Sequence, residues 1–376
     1  MTTTEKEAAT ADETAAPRED KDPTGRQEIR FRRRGDLAEV ILTRPKALNA
    51  LTKNMIDLFD PYLVAWASNP AVKAVAISGD GDKAFCAGGD VRSVWDSGRD
   101  GGDLTRSFFQ AEYTLNRRIR TFPKPYIALV DGITMGGGVG VSVHGDIRIA
   151  GDRTMMAMPE MGIGFFTDVG TTHVLSRLPG QLGMYLALTG YRMKAADAVY
   201  TGMATHYVPT EEILGVVDAC IGGTWRADDP LDDVRALVDQ HAGTPGPAPL
   251  AAHREAIDRC FAGASVEAIR AALAAEDSDW ARDTLAALAK GSPTSLKVTH
   301  AALRRAASLD FDSCLKMEYR MSQAFMAGHD FYEGIRAVLV DKDHAPAWKP
   351  ATLEEISDAA VEAHFAVPPG GDLEFA

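Results

Sequence analysis

From residue 27 onward, short apolar runs alternate with longer amphipathic stretches. Ile29 and Phe31, then Leu37, Val40, Ile41 and Leu42, predict two short strands around a turn at Arg34-Gly35-Asp36, ended by Arg44-Pro45. Thr52 is placed to cap a helix through Met55, Ile56, Leu58, Phe59 and Leu63, which recur at helical spacing. A strand over Val72–Ser78, a turn at residues 79–82 and an amphipathic helix over Leu104–Ile119 follow. Two further short strands are predicted over Tyr126–Val130 and Asp146–Ala150. Strands alternating with helices predict an α/β architecture.

Past about residue 209 the strand signal thins. Helix-period segments replace it over Val266–Ala275, Thr284–Lys290, Thr294–Ala307 and Asp312–Met326, with a Gly/Pro-rich linker or long loop over His241–Pro249. The expected organisation is an α/β core over residues 28–209, a helical C-terminal region over 210–367 and a frayed tail from Pro368. No internal sequence repeat is visible.

Composition narrows the function classes. The chain has 376 residues, 45% of them hydrophobic, enough for a full core. No stretch reaches the ~18 apolar residues of a membrane span, so a soluble protein is expected. Forty Lys and Arg against 53 Asp and Glu give a net charge of −13, which argues against general nucleic-acid binding. Residues 1 to about 27 have no large apolar residue after Met1 and are expected to be disordered. That segment lacks the apolar run of a secretory signal. It also carries Glu5, Glu7, Asp12, Glu13, Glu19, Asp20 and Asp22, unlike an acid-poor mitochondrial presequence, so a cytoplasmic location is expected. Cys86, Cys220, Cys260 and Cys314 are too scattered for a disulfide framework or a thiolate metal site. Phosphate-loop, dinucleotide, H-E-x-x-H and G-x-S-x-G motifs are absent.

Three segments carry candidate chemistry. Lys83–Asp90 (KAFCAGGD) and Asp131–Gly140 (DGITMGGGVG) each follow a predicted strand, and the second leads into an apolar helical run. Glycines there let backbone N–H groups face a developing negative charge, although a tight turn explains either cluster taken alone. Thr154–Gly170 is strongly apolar yet holds Glu160 and Asp168. Burial among Met and Phe raises a carboxyl pKa toward that of a general base; the structural alternative is a cap, or a pair with Arg153 or Arg177. His144 and His173 lie among apolar residues and are expected to be packed rather than catalytic.

In this order and spacing the segments resemble the enoyl-CoA hydratase/isomerase (crotonase) superfamily, and within it the 3-hydroxyisobutyryl-CoA hydrolase family. The resemblance spans roughly residues 28–350 and includes Leu42–Leu51 (LTRPKALNAL), Ala157–Glu160 (AMPE), Met317–Gln323 (MEYRMSQ) and Gly328–Asp343 (GHDFYEGIRAVLVDKD). It implies a crotonase-like spiral of β-β-α turns with a helical C-terminal region. It also implies hydrolysis of 3-hydroxyisobutyryl-CoA, or a close short-chain 3-hydroxyacyl-CoA, to acid and CoA in valine breakdown. No cofactor and no metal are implied, CoA being part of the substrate. Self-association into a homo-oligomer is compatible with it.

The resemblance maps an oxyanion hole onto the amides of Gly89 and Gly137. Glu160 becomes the principal carboxylate, attacking the thioester or activating water. Asp168 would receive the 3-hydroxyl or help place proton and water, and Glu112 matches a substrate-contacting position. CoA would lie over Lys46, Ala47 and Leu48 and along Ala87, Gly88 and Asp90, with Lys46 and Lys83 near its phosphates. Hydratases of the superfamily use two glutamates, the first at position 140, which here is Gly140. An enoyl-CoA hydratase or isomerase, and a non-catalytic acyl-CoA-binding subunit, are therefore the alternatives. The family's Phe-Pro-Asp-Val-Gly-Gly/Ala pattern is replaced by Phe166-Thr167-Asp168-Val169-Gly170-Thr171-Thr172, which puts the shape and polarity of the acyl pocket in question.

Overall fold

β1 (Ile29–Arg34) and β2 (Leu37–Leu42) form the expected antiparallel hairpin in the computed structural model, which describes residues 27–223, 225–226 and 229–375. The segment expected to be disordered lies, except for Gln27, outside the described residues. Parallel to β2 run β3 (Ala74–Gly79), β5 (Tyr126–Val130), β7 (Ile147–Ala150) and β9 (His206–Tyr207), completing a six-stranded sheet in the order β1-β2-β3-β5-β7-β9.

Three strands of three residues each, β4 (Ala84–Cys86), β6 (Ile133–Met135) and β8 (Met155–Ala157), form a second, wholly parallel sheet. Each follows one strand of the large sheet and leads toward a helix. The chain thus climbs through β3-β4, β5-β6 and β7-β8 in successive β-β-α turns. The spiral repeats in space without repeating in sequence.

Helix α1 (Lys53–Ser68) begins where Thr52 Oγ1 accepts the Met55 N–H at 3.2 Å. It buries Met55, Ile56, Phe59, Leu63 and Trp66 at three- and four-residue spacing. Helix α2 (Val91–Arg99) is capped by Asp90, and α3 (Leu104–Arg120) follows. α3 buries Phe108, Phe109, Glu112, Tyr113, Leu115, Asn116 and Ile119, so two unusually polar positions lie on its inner face. Helices α4 (Gly137–Val143) and α5 (Thr171–Leu175) follow β6 and β8.

After β9 no strand occurs among the described residues, and helices dominate, including Val266–Ala275, Pro293–Ala306 and Phe311–Met326. The tail expected to fray from Pro368 is instead attached. Leu373 is buried, Asp372 pairs with Arg320, and Arg117 lies over the Phe375 ring. None of the described helices is long and apolar enough to cross a membrane.

Candidate active site

The three segments singled out in the sequence leave the carboxyl ends of three adjacent parallel strands. β4 delivers Ala87–Asp90, β6 delivers Gly136–Gly138 and β8 delivers Met158–Glu160. Parallel pairing sets these ends side by side, the usual position for a ligand site in an α/β fold.

Close approach explains the glycines. A Cβ on Gly137 would lie 3.1 Å from the Gly89 nitrogen and would collide with Glu112 Oε1. One on Gly138 would collide with the Cys86 carbonyl. Gly88 has a φ of +121°, a conformation that L side chains rarely adopt. The 48–51 loop holds this stretch: the Ala87 N–H donates to the Leu48 carbonyl (2.9 Å), Leu51 N–H to the Gly88 carbonyl (2.8 Å) and Asp90 N–H to the Leu51 carbonyl (2.7 Å). Neither the Gly89 nor the Gly137 amide has an acceptor among the described residues. Two neighbouring backbone N–H groups thus remain without an acceptor at the mouth of the site.

Carboxylates face this pair. Glu160 opens a 3-10 turn after Pro159, is buried, and leaves Oε2 without a partner; a Cβ on Gly136 would lie 3.1 Å from its Oε1. Glu112, from α3, is also buried, with Oε1 unpaired. Asp168 is buried and accepts the Tyr113 hydroxyl at 2.7 Å. Burial, then the charges of Asp168 and Glu318, hold the Glu112 carboxyl well above the usual range. Burial, then Asp168, does the same for Glu160. Asp168 is pushed up to about 7 by burial, against the pull of its bond from Tyr113. Arg153 pairs with Asp131, and Arg177 donates to the carbonyls of His173, Ala306 and Leu309, so neither arginine neutralises the site acids. Among the described residues no three acidic, His or Cys side chains are grouped to hold a metal ion.

Asp168 sits at the head of a strained turn. Val169 has φ +57° and Gly170 φ +76°. A left-handed conformation costs an L residue about 1–2 kcal/mol, and a β-branched side chain there is a true outlier. His144 Nε2–H donates to the Val169 carbonyl at 2.7 Å, and Thr171 Oγ1 to the Asp168 carbonyl at 2.5 Å. Glu318 accepts the Gly170 N–H at 2.6 Å, the Thr172 N–H at 3.1 Å and the Thr172 hydroxyl at 2.5 Å. The hydroxyls of Thr171 and Thr172 therefore hold the turn and are not free to polarise an acyl pocket. Burial lowers the ring pKa of His144 to about 3 and of His173 to about 4, and both rings pack edge-on against Phe311. His144 fills the packed, hydrogen-bonded role expected of it, whereas His173 is only half-buried against Phe311.

Position 140 is closed. A Cβ on Gly140 would lie 2.7 Å from Val169 Cβ and 3.0 Å from Asn116 Nδ2. Asn116 is fully buried, with both amide atoms unpaired.

The residues mapped for CoA lie further out. Lys46 and Lys83 are exposed, with no partner among the described residues. Their loops touch, since a Cβ on Gly81 would stand 3.1 Å from Pro45. Ala47 is exposed and Leu48 half-buried. The Asp90 side chain is committed to Arg44 (3.2 Å) and to capping α2 (3.3 Å), so Asp90 offers CoA neither its carboxylate nor its amide. Sequence reasoning assigned no role to Tyr113, Asn116 or Glu318. Glu318 had a signal: an acid between Cys314, Leu315, Met317 and Met321 on the apolar face of its helix.

Comparison with known proteins identifies the family and the fold. The sequence model described as enoyl-CoA hydratase/isomerase matches residues 37–365. The 3-hydroxyisobutyryl-CoA hydrolase, mitochondrial, of Xenopus tropicalis is 46% identical over 337 residues, 89% of this chain and 88% of that protein. The human protein of the same name is 41% identical over 362 residues, 93% of this chain and 91% of that one. Among solved structures, a carnitinyl-CoA dehydratase from Mycobacterium thermoresistibile superposes with a TM-score of 0.87 at 43% identity, covering 93% of this chain and 99% of that one. An enoyl-CoA hydratase from Rhodobacter sphaeroides 2.4.1 superposes at 0.84 with 37% identity, covering 93% and 100%.

The mitochondrial names of the curated relatives overturn the cytoplasmic expectation. That expectation rested on the acidity of residues 1–27, and the composition of one segment does not fix a compartment. On the matched residues, the shared fold and the site geometry together, the chain belongs to the enoyl-CoA hydratase/isomerase (crotonase) family.

Proposed function

We propose that the chain is an acyl-CoA thioester hydrolase that cleaves 3-hydroxyisobutyryl-CoA, or a close short-chain 3-hydroxyacyl-CoA, to the free acid and CoA. The observation that carries this reading is the meeting of the free Gly89 and Gly137 amides with the buried Glu160 carboxylate, whose Oε2 has no partner. The thioester oxygen would lie between the two amides. A preorganised donor of this kind is worth roughly 3 kcal/mol in the transition state.

Glu160 then acts by one of two routes. It attacks the carbonyl carbon, expels the CoA thiolate and leaves a mixed anhydride that water opens. Alternatively it takes a proton from water as the water oxygen attacks and the C–S bond breaks. In either route the proton given up by water passes to the CoA thiolate, so the products are acid and thiol with the carboxylate regenerated, and no cofactor is needed. Asp168 would accept the 3-hydroxyl of the acyl group. A substrate lacking that hydroxyl would leave a buried carboxylate with one fewer donor, which is how such a site discriminates. The names of the curated relatives support this substrate, and with it a place in branched-chain acyl-CoA breakdown such as that of valine.

The two hydratase-type names among the solved structures favour a second reading, addition of water across an enoyl double bond. A second glutamate at position 140 has no room here, because Val169 and Asn116 occupy the space its Cβ would enter. Losing one positioned acid or base costs about 10²- to 10⁴-fold. The test follows free-thiol release from 3-hydroxyisobutyryl-CoA alongside enoyl absorbance with crotonyl-CoA. Thiol release from the first with an unchanged enoyl signal from the second is expected. Loss of the enoyl signal without thiol release would move the chain to the hydratases.

A further inference from the structure

We propose that Glu318, from the helical C-terminal region, is a positioning residue for Asp168 and so sets discrimination for the substrate hydroxyl; this rests on the hydrolase reading above. Glu318 lies on the Phe311–Met326 helix, fully buried, 150 residues beyond Asp168 in sequence. Its two carboxylate oxygens take three donors from the turn that follows Asp168: the amides of Gly170 and Thr172 and the Thr172 hydroxyl. Helix α5 has no side-chain cap of its own, so Glu318 supplies from another element the acceptors that its first amides lack.

The turn needs such a clamp. Val169 and Gly170 are both left-handed, and a strained backbone persists only where its surroundings over-determine it. On one side, His144 holds the Val169 carbonyl and Gly140 leaves room for the Val169 side chain. Glu318 holds the other side. With both in place, the carboxylate of Asp168 is presented to the Tyr113 hydroxyl and to the site. Thr172 adds a hydroxyl donor to the clamp.

The test compares kcat/KM by thiol release for 3-hydroxyisobutyryl-CoA and isobutyryl-CoA, with Glu318→Gln placed in the native and the Asp168→Asn backgrounds. A glutamine cannot accept on its nitrogen, so at least one turn amide loses its partner. The native preference for the hydroxylated ester is expected to fall about tenfold or more, the scale on which displaced groups lose rate. In the Asp168→Asn background the same substitution is expected to leave the preference unchanged, since residues acting through one another are non-additive. Equal losses on both esters, or the same loss in both backgrounds, would overturn the proposal. Thr172→Val, which removes only the hydroxyl donor, guards against a misfolded Glu318 variant and is expected to shift the preference in the same direction by less. Amide exchange gives a readout free of the reaction: Glu318→Gln is expected to accelerate exchange at Gly170 and Thr172 while sparing α3. Unchanged exchange overturns the clamp, whereas absence of thiol release from either ester by the native protein overturns the hydrolase reading alone.

Discussion

The Tyr113 hydroxyl donates to Asp168 Oδ2 at 2.7 Å, both groups buried, and ties α3 to the turn that carries the second site acid. The bond stabilises the ionised form of Asp168, opposing the burial that pushes it up to about 7. Tyr113→Phe removes the donor while keeping the ring. The pKa of Asp168 is then expected to rise, and the acid limb of the kcat/KM profile for a hydroxylated ester to move to higher pH. A pH–rate series on the variant checks this, and an unmoved limb would show that Asp168 does not control the step.

Glu160→Gln separates chemistry from binding. The substitution keeps the shape of the side chain but removes the base or nucleophile, so kcat is expected to fall by about 10²- to 10⁴-fold with KM nearly unchanged. The folded protein is expected to be no less stable, because a buried carboxyl with one unpaired oxygen is replaced by a neutral amide. Steady-state kinetics and a thermal melt on the same preparation read both effects.

Gly140→Ala asks whether position 140 is closed. Its Cβ would meet Val169 Cβ at 2.7 Å and Asn116 Nδ2 at 3.0 Å, which forces the strained turn to move. A loss of about 1–3 kcal/mol in denaturant unfolding is expected, typical of overpacking. Gly140→Glu is expected to gain no hydration of crotonyl-CoA. A variant that folds normally and consumes the enoyl signal would contradict the geometry.

Stability should also depend on pH in a fixed direction. Asp168 is raised to about 7 and Glu318 to about 8, each from an ordinary carboxyl value, and Glu112 and Glu160 are raised as well. The folded state therefore holds more protons than the unfolded one, and stability falls as pH rises through these values. His144 and His173, lowered to about 3 and 4, and His206, His300 and His364, also lowered by burial, act oppositely as pH rises through their ordinary value of 6.5. Between about pH 7.5 and 8, above the range in which those imidazoles titrate, the carboxyls dominate. The unfolding free energy is expected to decrease across that window, by up to about 1.4 kcal/mol per pH unit for each titrating group, as read by denaturant titration.

Much of this was legible in the sequence because it is local. Thr52 marks the start of α1, and Val266–Ala275 is predicted and observed with the same ends. The segments holding Gly89, Gly137 and Glu160 were found because glycine pairs and a buried acid are unusual where they stand. Strands β4, β6 and β8 were not found, since three residues carry no periodicity, yet their parallel pairing is what assembles those segments. Tyr113 adjoins Glu112 in a helix, where neighbours point about 100° apart, so no spacing tied it to Asp168. Glu318 reaches its partners across 146 and 148 residues, a contact that only the tertiary fold creates. The tail around Leu373 read as frayed because one buried leucine and one ion pair leave no pattern in nine residues.

The measurement that tests the account most directly is the ratio of kcat/KM for 3-hydroxyisobutyryl-CoA over isobutyryl-CoA, read as free thiol. A buried carboxylate that receives the hydroxyl predicts a ratio of roughly 10² or more. Equal rates on the two esters would contradict the role given to Asp168, and release from neither would contradict the hydrolase.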